Sequence, residues 1–202
     1  MKKFAVGLAL AAALGLAQAA PIVYTGTLSN GVTAYDDVPL ESYADPTQWD
    51  YWRISGTVGD VVSILVNRAS DQMDPAVILY RGIGGDTDGL GFLTGTDSDD
   101  GLLVFQTEDD DTGGASPYGG QFNDAAILSF ALPATGNYTL AVFDVLGCFE
   151  ADAFCSNGDG PWTYEIVARG FTDSSVPVPG SVALLAAGLL GVGVSVRRRM
   201  RG

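Results

Sequence analysis

The sequence predicts an all-β fold, a jelly-roll-like antiparallel sandwich of about eight strands. Three observations lead there. Short apolar or alternating segments recur between residues 22 and 169, each bounded by Gly, Pro, Asn or Asp. In one of the longer segments Trp52, Ile54 and Val58 share one face, while Tyr51, Arg53, Ser55 and Thr57 share the other. That alternation gives a sheet with one core face and one wet face. Finally, Pro133-Ala134-Thr135-Gly136 is a turn in which Pro fixes φ and Gly is free to take φ > 0, so a hairpin is expected across it.

The expected strands, in order, are Ile22–Leu28, Tyr51–Val58, Val61–Asn67, Ala76–Tyr80, Leu102–Thr107, Ala125–Leu132, Tyr138–Phe143 and Trp162–Arg169. They make one domain, residues 20–172, long enough to bury a core without helper cofactors. Residues 82–124 interrupt it with 11 glycines and nine aspartates, a Gly/Asp-rich insertion.

Both ends of the chain read as addresses. Lys2 and Lys3 precede an apolar stretch from Phe4 to Leu16, and Ala17-Gln18-Ala19 supplies the small residues of a signal-peptidase site. Cleavage before Ala20 removes residues 1–19 and exports the rest. At the other end, residues 173–202 comprise a linker with Val176-Pro177-Val178-Pro179, an apolar run over 182–196, and the basic end Arg197-Arg198-Arg199-Met200-Arg201. The prolines keep the approach extended, the apolar run enters lipid, and the arginines stay cytoplasmic. Fifteen residues at about 1.5 Å rise span roughly 22 Å, short of the ~30 Å hydrocarbon core. A temporary membrane segment fits that length better than a permanent anchor.

This order of parts resembles the PEP-CTERM sorting signal, with Val178 standing where that family has Glu. The resemblance implies an exosortase-type membrane protease as partner in a Gram-negative bacterium. It also implies transient inner-membrane attachment, then a cell-surface or extracellular location associated with exopolysaccharide. The competing reading is a module anchored permanently by its C-terminal helix.

Without its ends the chain is strongly acidic. Of the ten basic residues only Arg53, Arg68, Arg81 and Arg169 lie between the leader and the Val-Pro-Val-Pro motif, against all 24 acidic residues, the last of them Asp173 in the linker, so residues 20–175 carry −20. Such a field is a poor partner for nucleic acid and a good one for divalent cations. Within the body, Asp50-Tyr51-Trp52-Arg53-Ile54, Asp74-Pro75-Ala76-Val77-Ile78-Leu79-Tyr80 and Leu132-Pro133-Ala134-Thr135-Gly136-Asn137-Tyr138 stand in the order of the bacterial pre-peptidase C-terminal domain. The body resembles that family over roughly Tyr24 to Arg169. The resemblance implies a small jelly-roll sandwich that binds or stabilises and does no chemistry. Its calcium sites in some relatives point to Asp36, Asp37 and Asp50, and its Asp-rich turn to Asp109, Asp110 and Asp111.

The insertion has two readings, a calcium site or a solvated acidic loop. Calcium takes six to eight hard oxygens. Thr96-Asp97-Ser98-Asp99-Asp100-Gly101 and Glu108-Asp109-Asp110-Asp111 are its densest clusters, yet Gly101 falls fifth from Asp97, where an EF-hand needs Gly sixth. Cys148 and Cys155, the only cysteines, are expected to form a local disulfide in an oxidising compartment.

With no histidine anywhere, a Ser-His-Asp or Cys-His apparatus and a histidine zinc site are excluded. Catalysis would need a tuned carboxylate pair, and abundant loop aspartates do not supply one. No enzyme activity is expected. Trp49, Trp52, Trp162, Tyr43 and Tyr118 are the aromatic binding candidates. Trp52 and Trp162 are expected in the core, which leaves Tyr118, in the turn Ser116-Pro117-Tyr118-Gly119-Gly120, as the exposed position for a sugar ring.

Overall fold

A computed structural model describes residues 20–39, 42–69, 73–115, 120, 123–145 and 162–172. The leader, Tyr118, Cys148 and Cys155, the sorting motif and the apolar run with its basic end lie outside the described residues. Among the described residues no helix is long and apolar enough to cross a membrane.

Nine strands are present among them: β1 (Tyr24–Thr27), β2 (Thr33–Val38), β3 (Asp50–Gly56), β4 (Val61–Arg68), β5 (Pro75–Arg81), β6 (Val104–Asp109), β7 (Ala125–Ala131), β8 (Gly136–Asp144) and β9 (Trp162–Arg169). They form a five-stranded sheet in the order β1-β3-β8-β5-β6 and a four-stranded sheet in the order β2-β9-β4-β7. From β2 onward most successive strands alternate between the sheets, which gives the jelly-roll-like order. Every pair is antiparallel except β1 with β3.

The expected hairpin between Ala125–Leu132 and Tyr138–Phe143 does not form. β7 belongs to the four-stranded sheet and β8 to the five-stranded one, so Pro133-Ala134-Thr135-Gly136 arches from one sheet to the other. Side chains hold the arch in place of ladder bonds. The buried Tyr138 hydroxyl donates to the Ala134 carbonyl at 2.6 Å and accepts from the Ala134 amide at 3.2 Å. Leu132, 1% exposed, anchors its first corner in the core.

The wet face expected for the Tyr51 strand is wet at Arg53, which is exposed, and half-buried at Ser55, but dry at Tyr51. Trp52 and Ile54 face the layer between the sheets with Ile64, Leu79, Leu140 and Ile166. On the other face Tyr51, at 2% exposure, joins a second core with Ile78, Tyr80, Phe143, Leu90 and Leu103. The last two belong to the insertion, which folds over the outer side of the five-stranded sheet. Val58 lies beyond the end of β3 and is 60% exposed. Because β5 is covered on both faces, Pro75 through Tyr80 are all buried, and the run reads as continuously apolar. The insertion begins at Gly82, where φ is +120° and a Cβ would stand 2.0 Å from the Leu102 carbonyl oxygen. Only glycine lets the chain turn there.

Candidate functional site

Register places most of the singled-out aspartates at one end of the sandwich. β3 and β5 begin there while β6 and β8 end: Asp50 pairs with Val142, Pro75 with Asp144, and Val77 with Asp109. In the facing sheet β2 and β4 end there and β7 and β9 begin, with Val38 opposite Trp162 and Val66 opposite Ala125. Two groups of carboxylates result.

The first surrounds Asp50. The indole Nε1 of Trp52 donates to the Tyr164 hydroxyl at 2.8 Å, and that hydroxyl donates to Asp50 Oδ2 at 2.7 Å. This chain ties β3 to β9 across the core. The Thr25 hydroxyl approaches Asp50 Oδ1 at 3.4 Å. Burial, and then the charges of Asp36 and Asp37, push the Asp50 carboxyl up to about 6 against the bonds from Tyr164 and Thr25. Asp36 lies opposite Tyr164 and is half-buried, so it faces inward toward Asp50, while Asp37 is exposed on the other face of β2. The Asp36, Asp37 and Asp50 set is therefore divided.

Beside Asp50 the chain forms a cavity of about 280 Å³, lined by Tyr24, Thr25, Gln48, Trp49, Asp50 and Thr87 among others. Its walls are well fixed. Asp45 caps the short turn before β3, accepting from the Thr47 hydroxyl at 2.6 Å and from Gln48 Nε2 at 2.7 Å. Trp49 stacks on Phe143 with ring centroids 4.3 Å apart and donates to the Ser42 carbonyl at 2.7 Å. The Arg53 guanidinium lies 3.8 Å above the Tyr24 ring, a cation–π contact.

The second group lies toward the β6 edge. Asp109 is engaged by the backbone: Oδ2 accepts from the Ala126 amide at 2.7 Å and from the Thr112 amide at 3.0 Å, and Oδ1 accepts from the Thr112 hydroxyl. Asp110 and Asp111 continue past the end of β6 toward Asp74 and Asp144. The buried Asp144 accepts the Asp74 amide on Oδ1 at 2.9 Å. Asp74 is 8% exposed, and its Oδ1 has no hydrogen-bond partner. Burial, and then the charges of Asp111, Asp144 and Asp110, raise its carboxyl to about 7, opposed only by Arg68. That guanidinium is already bonded to Asp124 at 3.0 Å.

The aspartates of the insertion do different work. Asp97 accepts from the Phe105 amide at 2.8 Å. Asp100 accepts from the Leu102 amide at 2.9 Å, the Ser98 hydroxyl at 2.7 Å and the Asp86 amide at 3.2 Å. These bonds hold the Asp100 carboxyl below its ordinary value. At these residues the carboxylates close turns. Among the described residues no group of three or more Asp, Glu, Cys or His is set to hold a metal ion.

Of the aromatic candidates, Trp49, Trp52 and Trp162 are all buried and Tyr43 is 44% exposed. Sequence reasoning does not single out Asp74 and Asp144 as site residues. Both read as strand ends, and their 70-residue separation conceals the bond between them.

No described protein family matches the chain, nor does any curated protein sequence. Solved structures are similar to it, and three of them follow. A surface-associated copper-binding protein important in copper acquisition, CorA of Methylomicrobium album BG8, is 14% identical, with 72% of this chain and 97% of that one covered and a TM-score of 0.49. The pre-peptidase C-terminal domain of a Bacillus anthracis collagenase is 11% identical, with 73% and 98% covered and a TM-score of 0.41. The secreted protein MopE of Methylococcus capsulatus, described as binding copper with help from an oxidised tryptophan, is 15% identical, with 72% and 86% covered and a TM-score of 0.45. At these identities the likeness is one of fold alone.

Proposed function

We propose that this chain is an exported, non-enzymatic surface or matrix protein. Its leader is removed by signal peptidase, its tail is processed by an exosortase-type protease, and the delivered sandwich is stabilised by calcium among exopolysaccharide. The observation that carries this reading is the work its carboxylates do. Asp45, Asp97, Asp100 and Asp109 accept backbone amides, and Asp50 ties the two sheets through Tyr164. Acids used this way build a durable acidic surface. They are not a pair held apart with opposed proton affinities, as carboxylate catalysis requires. Expression in an exosortase-bearing Gram-negative host, followed by mass spectrometry of both termini, tests the reading. Surface material starting at Ala20 and ending near Val176 is expected, and surface material that keeps residues 182–202 would contradict the sorting.

The cavity beside Trp49 favours a second reading, a carbohydrate-binding module. Tyr24 offers ring edge while Thr25, Gln48 and Asp50 offer hydrogen bonds, the mixture that sugar recognition uses. A glycan array probed with wild type and Gln48→Ala tests it, with loss of a specific glycan signal in the variant expected.

A further inference from the structure

We propose that the cavity beside Asp50 binds a protonated amino sugar, its ammonium on the Asp50 carboxylate and its ring hydroxyls on Thr25, Thr47 and Gln48. This names the ligand class for the carbohydrate reading and rests on that reading.

The wall of the cavity has already spent most of its hydrogens inward. Thr47 gives its hydroxyl hydrogen to Asp45 Oδ1 at 2.6 Å, and Gln48 gives an amide hydrogen to Asp45 Oδ2 at 2.7 Å. Thr25 directs its own to Asp50 Oδ1 at 3.4 Å. Trp49 donates to the Ser42 carbonyl at 2.7 Å and Tyr51 to the Pro46 carbonyl at 2.8 Å. The Tyr24 hydroxyl accepts from the Gly84 amide at 2.9 Å and lies 2.8 Å from Thr139 Oγ1, which itself donates to the Gly82 carbonyl, so the Tyr24 hydrogen goes to Thr139. What remains for a ligand is mostly lone pairs. Gln48 Oε1 and the Thr25 and Thr47 oxygens supply them, and Asp50 Oδ1, with one long bond, has room for another donor. Thr87 adds a hydroxyl that serves either way.

A cavity of acceptors selects a ligand of donors. An ammonium donates three hydrogens and accepts none, whereas the acetamide of an N-acetylated sugar brings a carbonyl that meets few donors here. Charge points the same way. Among the described residues that line the cavity there is no lysine or arginine, and the nearby Arg53 is held over the Tyr24 ring at 3.8 Å. Residues 20–175 carry −20, a field that draws cations toward the site.

Size and shape favour a sugar over a basic side chain. At about 280 Å³ the cavity takes one ring rather than several residues of a chain. Val23, 78% exposed at its rim, and the Tyr24 ring edge give an apolar flank for the C–H face of a pyranose. A lysine would bring a single polar head and give up its rotamer freedom to place it. A rigid amino sugar meets Asp50, Thr25, Thr47 and Gln48 together and has less freedom to lose.

Calorimetry on the full chain in mild detergent tests the assignment, with the β-1,4-linked glucosamine tetramer, its N-acetylated counterpart, the matching glucose tetramer and tetralysine as probes. Wild type is expected to bind the glucosamine tetramer about tenfold or more tighter than the other two sugars, the scale of a charge-assisted hydrogen bond. Gln48→Ala removes no charge and should weaken the glucosamine tetramer about fivefold while leaving tetralysine where it was. Asp50→Asn should erase the preference for the amine, and Asp60→Asn, which removes a charge beyond the far end of β3, should keep it. If Asp50→Asn folds poorly, Gln48→Ala carries the test. Equal binding of the amine and its N-acetylated counterpart would overturn the amine and leave the carbohydrate reading standing. Tetralysine binding as tightly as the glucosamine tetramer, with the same loss in Gln48→Ala, would overturn the sugar in favour of a basic peptide. Glucosamine binding unchanged in Gln48→Ala and Asp50→Asn would be plain attraction to the acidic surface and would overturn the site. A chain that binds no glycan at all would overturn both the proposal and the reading beneath it.

Discussion

Asp50 and Asp74 lie at the same end of the same sheet and are both held above the usual carboxylate range, yet their surroundings differ. Asp50 is met by hydroxyls on both oxygens and belongs to a chain that ends on the Trp52 indole. Asp74 faces three other aspartates and leaves one oxygen without a partner. The first arrangement is complete as it stands, and the second is not. Burial of a charged group is therefore not one signal but two, separated by whether the protein itself supplies the donor.

Breaking the complete side should have the largest effect. Tyr164→Phe removes one hydroxyl and strands both Asp50 Oδ2 and the Trp52 indole, so we expect a loss of about 2–4 kcal/mol in denaturant unfolding. The incomplete side should respond in the opposite direction. In chelator at neutral pH, Asp74→Asn removes a buried charge without a partner and should stabilise by about 1–2 kcal/mol, less than the full shift implies because solvent reaches part of the site. An equal loss in both variants would erase the distinction.

A pH series sharpens it further. Both carboxyls bind their proton more tightly when folded than at the ordinary value of 3.8. Their contribution to stability is thus fully present below about pH 4. It is lost as pH rises through about 6 for Asp50 and about 7 for Asp74. The groups that set these midpoints are Asp36, Asp37, Tyr164 and Thr25 on one side, and Asp111, Asp144, Asp110 and Arg68 on the other. Unfolding curves in chelator should show wild type losing stability across this window, and Asp74→Asn should lose less of it at the upper end. The smallest effect belongs to the insertion. Asp100→Ala should cost about 0.5–1 kcal/mol, the scale of a lost cap, because the bonds removed close a single turn.

Most of the sandwich is legible in the sequence because its strands announce themselves locally. All eight expected segments overlap strands, with ends shifted by a few residues. The strand without a local signal, β2, reads Thr-Ala-Tyr-Asp-Asp-Val, and its inward Asp36 breaks the apolar alternation that marks a strand. The arch at Pro133 passes for a hairpin for another reason. A turn sequence fixes a change of direction, but which sheet receives the next strand depends on partners far away in the chain. Tyr51 reads as a wet-face residue because its cover, Leu90 and Leu103, lies in an insertion whose composition suggests open loop.

The candidate sites follow the same division. Asp50 and Asp109–Asp111 stand out through local motifs, whereas Asp74 and Asp144 become a pair only through the β5–β8 register. Turn closure and calcium coordination both use carboxylate oxygens near glycine, so the insertion's aspartates read as ligands in the sequence, and in the structure Asp97 and Asp100 accept backbone amides.

The contrast between these two carboxyls can be read directly from the Asp side-chain carboxyl carbons by NMR, titrated with pH in chelator. Midpoints of about 6 for Asp50 and about 7 for Asp74 are expected, and Tyr164→Phe should move that of Asp50 while leaving that of Asp74 in place. Ordinary midpoints near 4 for both, or an equal shift of both in Tyr164→Phe, would contradict it.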